Sequence, residues 1–161
     1  MPRLSPTAAA ALAAYPRPAP RSLIPQRLAK ADVVSLEIAH LDTFNEIAFG
    51  QPTPQTLWDW VCNVLTWWKA AELMQLGVDE MQDQLQGCLP LIDRWRRTGR
   101  VGFDGAGLQL ARHGVDVMDE LARQVDQGTA HEAAVWAEQR LFSMRIDQPA
   151  SVQAKQEESY V

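Results

Sequence analysis

A chain of 161 residues, 47% hydrophobic and 22% charged, has the make-up of one globular domain with a core of its own. No apolar run approaches the roughly 18 residues of a membrane span, and a net charge of −5 argues against a surface that binds nucleic acid as a whole. Cys62 and Cys88 share no close spacing with each other or with a histidine, which fits reduced, buried thiols of a cytoplasmic protein better than a disulfide framework.

Charge is uneven along the chain. Residues 1–30 hold Arg3, Arg17, Arg21, Arg27 and Lys30 and no acid, leaving ten basic against all twenty acidic side chains for the remainder. Six prolines punctuate the same stretch, so it reads as a flexible or extended arm. Its one apolar run, Ala8–Ala14, is short for a secretory signal. The division expected is an arm over 1–30, a helical domain over 31–145 and a polar tail over 146–161.

Within the domain every pattern is helical. Leu36–Phe49 places Leu41, Phe44 and Ala48 on one face and stops at Gly50. Thr53-Pro54 then supplies a capping hydroxyl and a proline in the first turn. From Leu57 the run Leu57, Val61, Val64, Trp68, Ala71 follows the helical period, and flanking apolar residues widen the stripe. Such a helix belongs in the middle of a bundle and should end near Gly77. The next, Asp79–Thr98, has Met81, Leu85, Leu89, Ile92 and Trp95 as its buried set, with Gly87 and Pro90 predicting a kink or a break. Asp104–Gln127 carries a regular stripe from Leu108 to Val125 and ends at Gly128. Thr129-Ala130-His131-Glu132 has the form of a capping box opening a last helix through Phe142, with Ala133, Ala134, Trp136, Ala137 and Leu141 inward. No stretch alternates long enough for a strand. The fold expected is all-α, an antiparallel bundle of about five helices.

The joint Arg94–Leu108 holds four arginines within seven residues and then a glycine-rich turn, a combination that could cradle a phosphate. Its glycines, at 99, 102, 105 and 107, match neither phosphate-loop pattern, and no strand leads into it. Structural roles account for the same letters. Gly99 suits a helix C-terminus with Arg96 and Arg97 in the last turn, Asp104 an N-cap, and Phe103 with Leu108 a hydrophobic staple. The run Trp95-Arg-Arg-Thr-Gly-Arg followed by Gly-Phe-Asp-Gly-x-Gly-Leu resembles the connector of small helical proteins carried by proteobacterial genomes, phages and plasmids. That resemblance spans about residues 36–142. It implies an all-helical domain and an accessory role on a mobile element, and it carries no functional residue with it.

Six tryptophans are many for this length, and four lie in Trp58–Trp68. Trp60 and Trp67 fall outside the central stripe, where they either pack on a neighbouring helix or form an exposed aromatic patch. His40 has only Glu37 beside it at helical spacing, His113 only Asp116 and His131 none, which makes pairs and not sites, so no metal is expected. Asp79, Glu80 and Asp83 suit a helix N-terminus without any acid–base role. No nucleophile with a base and an orienting group is evident, so neither catalytic residues nor a cofactor are expected. The terminal Ser159-Tyr160-Val161 resembles a ligand for a carboxylate-capturing domain, on three residues only. The function expected is therefore a protein-binding or regulatory module, with Trp60, Trp67, Arg94, Arg97 and Arg100 as candidate surface residues and another protein or a second copy as partner. The alternative is nucleic-acid binding through the basic arm and the Arg94–Arg100 patch. No membrane contact is expected.

Overall fold

The computed structural model describes residues 26–144, and the chain there forms five α-helices. They are α1 (Lys30–Phe49), α2 (Pro54–Met74), α3 (Val78–Thr98), α4 (Gly105–Gln124) and α5 (Gln127–Met144). Residues 1–25 and 145–161, most of the expected arm and all of the expected tail, lie outside the described residues. The last part of the arm belongs to the domain instead. Arg27 bridges to Asp126, the Gln127 N–H donates to the Gln26 carbonyl at 2.8 Å, and α1 already begins at Lys30. No helix among the described residues is long and apolar enough to cross a membrane.

Paired contacts fix the helix directions. Glu37–Arg123, His40–Asp119 and Phe44–Phe103 climb α1 while descending towards the start of α4, so these two run antiparallel. His40–Trp67 and Phe44–Trp60 show the same for α1 and α2. Gln84–Leu110 and Arg94–Gly102 do so for α3 and the α4 region, and residues 75–77 reverse the chain between α2 and α3. Helices α1 to α4 thus form an up-and-down ring, and α5 lies antiparallel along α2, pairing Trp68 with Trp136 and Trp58 with Phe142. The bundle expected from the helical periods is the one observed.

Helix α2 sits in the middle because it is apolar on several sides. Leu57, Val61, Val64 and Ala71 are buried on its main stripe, with Trp60, Leu65, Trp67 and Ala70 buried around it. Its start matches the reading. The Thr53 hydroxyl accepts from the Thr56 N–H at 3.3 Å, the Thr56 hydroxyl accepts from the Thr53 N–H at 3.0 Å, and Pro54 opens the first turn. Its end comes earlier than Gly77, at left-handed Gln75 (φ 55°).

Other boundaries and faces differ from expectation. Helix α3 continues unbroken through Gly87 and Pro90; Pro90 is exposed, and Cys88, Leu91 and Ile92 are buried around it. Its inward set contains Gln84, Cys88 and Leu91, whereas Leu85 is half-buried and Leu89 exposed. Helix α5 starts two residues before Thr129, because Asp126 takes the capping role. Its carboxylate accepts the Thr129 N–H at 2.9 Å and the Thr129 hydroxyl at 2.7 Å. Burial alone would raise this carboxyl, but those hydrogen bonds and one from the Gly128 backbone outweigh it and hold Asp126 below the ordinary carboxylate value. In α1 the inward face is His40, Phe44 and Ile47, and Leu41 points to solvent.

Helices α3 and α4 cross closely at two glycines. Gly87 lies under Leu110, and Gly114 lies against the carboxamide of Gln84, whose amide donates to the Leu110 carbonyl at 2.8 Å. Gln84 is buried, so this bond satisfies a polar group that would otherwise be costly. A Cβ at Gly114 would occupy the space of the Gln84 carboxamide. Gly114→Ala is therefore expected to destabilise the domain by about 1–3 kcal/mol, the usual cost of overpacking. Melting followed by circular dichroism should fall by about 2–4 °C per kcal/mol. An unchanged or higher Tm, the helix-propensity gain of alanine acting alone, would show that the crossing has room to spare.

Candidate functional site

The buried polar chain between α1, α2 and α4 is the only place where an imidazole, an indole and a carboxylate converge among the described hydrogen bonds. The indole N–H of Trp67 donates to His40 Nε2 at 2.8 Å, and His40 Nδ1 faces Asp119 Oδ1 at 2.9 Å. An indole can only donate, so Nε2 must be bare and the ring proton sits on Nδ1, donating to Asp119. His40 is 1% exposed, while Asp119 keeps a partial route to solvent. A carboxylate orienting a histidine is familiar from general-base chemistry. Here the nitrogen that would serve a substrate is held by Trp67, so the arrangement fixes three helices and has no free imidazole nitrogen to offer.

Sequence reasoning left His40 as an isolated histidine beside Glu37. Its partners come from positions 67 and 119, too distant in sequence for helical spacing to reveal, and Glu37 instead pairs with Arg123 at 2.6 Å. His131 has a buried Nδ1 with no hydrogen-bond partner, and among the described residues no group of three or more His, Cys, Asp or Glu could hold a metal ion.

The expected aromatic surface is not a surface. Trp60 and Trp67 are each 2% exposed within a single chain. Trp60 meets Phe103 and Phe44 at 5.5 and 6.3 Å between ring centres, and Trp67 crosses His40 edge-on at 5.7 Å. A helix with neighbours on several sides leaves its flanking tryptophans no solvent to face. Of the two roles open to them, packing on another helix is the one they take.

The arginine cluster is likewise dispersed. Arg94 is half-buried and its guanidinium donates to the Gly102 carbonyl at 3.1 Å, closing the joint on itself. Arg97 pairs with Asp93 at 2.8 Å on the exposed side of α3, and Arg100 is exposed in the turn beyond. Arg96, read from sequence only as a last-turn cation, donates to the Met144 carbonyl at 2.9 Å and ties α3 to the end of α5. The two helix caps of the joint form as expected. Gly99 is left-handed (φ 66°) with its N–H on the Trp95 carbonyl, and the Asp104 carboxylate accepts from the Gly107 N–H at 2.6 Å. Phe103 stacks on Phe44 at 6.0 Å.

A different face carries the surplus of apolar surface. Val34, Ile38 and Leu41 lie exposed on the outer side of α1, Ile38 with 55% of its area, and Phe49 extends the stripe with 67% of its area exposed while one edge of its ring meets Phe44 at 6.2 Å. At about 100° per residue these positions and Asn45 fall within roughly 80° of arc. One edge of the stripe holds Asp42 and Glu46, exposed and without an ion-pair partner among the described residues. Along the other, Glu37 and Glu120 share Arg123. Helix α1 therefore has two apolar sides, and only the His40–Phe44–Ile47 side faces the core.

Both thiols are free and shielded. Burial pushes Cys88 up to about 12. Burial also raises Cys62 to about 11, with Asp59 and Glu138 adding to the rise and a Thr66 hydrogen bond opposing it.

In imidazole nitrogen NMR spectra His40 should show Nδ1 protonated and Nε2 bare, and Trp67→Phe, which orphans Nε2, should cost about 1–3 kcal/mol of stability. A protonated Nε2 in the neutral ring would be incompatible with the Trp67 bond. At pH 8 a thiol reagent should leave Cys88 unmodified in the folded chain and label it on denaturation. Because the unfolded thiols ionise from about 9, stability should decline as pH rises from there towards 11–12. Rapid labelling of Cys88 in the native state would contradict its burial.

Comparison of the chain with family models, with curated proteins and with solved structures finds no match.

Proposed function

We propose that the chain is a non-catalytic helical module that works by binding another protein through the outer face of α1. The exposed stripe Val34–Ile38–Leu41–Phe49 carries this reading. Scattered apolar residues on a surface are ordinary, but an apolar seam along one helix, broken only by Asn45 and on the side away from its own core, is the kind of patch that marks an interface. With Trp60 and Trp67 buried, the proposed surface is the outer face of α1 in place of α2, and the class of function proposed is the same. The likeness of the Trp95–Leu108 connector to phage and plasmid proteins supports an accessory role on a mobile element. The nucleic-acid alternative draws less support, since Arg94 closes the joint and Arg97 faces Asp93.

The test is a paired affinity purification from the native host, with wild type and Ile38→Glu/Leu41→Glu as baits. Both positions are exposed, so the double variant should keep the wild-type helical spectrum and Tm within about 1 kcal/mol of stability. Proteins recovered by wild type and lost with the variant are the expected result. Identical sets from both baits would remove α1 as the binding face, and nucleic acid recovered in a salt-sensitive manner by both would favour the alternative.

A further inference from the structure

Resting on that reading of α1, we infer that the occupant of its outer face is a cationic amphipathic helix from another protein, an apolar seam flanked by Lys or Arg. Shape argues for a helix. From Val34 to Phe49 the stripe runs straight for about 22 Å and occupies a narrow arc, with apolar residues at i, i+4 and i+7. A second helix laying its own seam along it covers such a strip with side chains interlocking, whereas a broad groove would be needed for a compact loop.

Charge argues for the sign. Asp42 and Glu46 stand on one edge with no ion-pair partner among the described residues, and α1 carries four acids, Asp32, Glu37, Asp42 and Glu46, against Lys30 alone. Closing an apolar seam lowers the local dielectric along its rim, so rim charges select partners by sign. A second copy is a poor occupant on the same ground. An antiparallel two-fold pairing would set the Asp42–Glu46 edge against itself, and a parallel one would set it against the edge where Glu37 and Glu120 already share Arg123. A helix with Lys or Arg beside its seam satisfies Asp42 and Glu46 and buries Ile38, Leu41 and Phe49 at once.

The probes are two synthetic amphipathic helices with the same leucine seam, one flanked by Lys and the other by Glu, titrated into the isotope-labelled full chain. The Lys helix should shift backbone amides of residues 34–49. Asp42→Lys/Glu46→Lys should weaken it by about tenfold or more and strengthen the Glu helix in return. That exchange of preference separates edge recognition from general attraction to an acidic protein. Equal binding of both helices to α1, unmoved by the double substitution, would overturn the cationic partner while leaving α1 as a docking face. Shifts outside α1, or none, would overturn the inference, and unchanged recovery with the Ile38→Glu/Leu41→Glu bait would take the docking face with it. A dimer dispersed by Ile38→Glu in sedimentation would identify the occupant as a second copy. If Arg3→Glu/Arg17→Glu/Arg21→Glu moves the α1 signals with no peptide present, the occupant is residues 1–25 of the chain itself. Either result overturns the inference.

Discussion

A tryptophan in the middle of a bundle brings a hydrogen-bond donor into a place without water, and the domain is organised around where that donor goes. Trp67 is buried because α2 has helices on several sides. Its indole N–H must be satisfied or cost the desolvation of a polar group. His40 on α1 accepts it, and the proton that this leaves on Nδ1 is taken by Asp119 on α4. One donor thus sets the rotation of three helices. Hydrophobic burial is non-directional and would tolerate α1 turned by a residue or so about its axis. The hydrogen-bonded chain does not, since only one face of α1 carries a histidine at the height of Trp67.

That constraint has a visible effect on α1. Left to its apolar residues, the helix could turn Leu41 and Ile38 inward, and the spacing of Leu41, Phe44 and Ala48 points that way. His40 overrides the pattern, drawing Phe44 and Ile47 in with it and leaving Val34, Ile38, Leu41 and Phe49 outside. The exposed seam is thus a consequence of the buried polar chain. The packed interior and the exposed apolar seam come from the same rotation.

Much of the architecture was legible from local signals. The Thr53-Pro54 start, the left-handed Gly99, the Asp104 cap and the breadth of the α2 stripe each follow from interactions within a few residues, which sequence displays directly. What escaped was decided across the fold. Asp126 outcompetes Thr129 as cap because its carboxylate takes both donors of that threonine, while a Thr-x-x-Glu pattern is present in either register. Gln84, a polar residue outside the expected buried set, is buried because Gly87 and Gly114 bring two backbones close. The candidate surface failed for a similar reason. Spacing shows that Trp60 and Trp67 leave the central stripe, but only the placement of α1 and of the Phe103 turn shows that nothing else on that side is open.

The short bridge before α1 has a mechanical side. The carbonyl of Gln26 is held by the N–H of Gln127, and the backbone of Arg27 forms an antiparallel bridge with that of Asp126, the residue whose carboxylate caps α5. The chain's entry into the domain is therefore fastened at the corner where α4 turns into α5, and not to α1 alone. Tension arriving through the preceding residues would be shared between the start of the first helix and the start of the last. The corner acts as a strain relief for α1, whose rotation the buried hydrogen-bond chain has set.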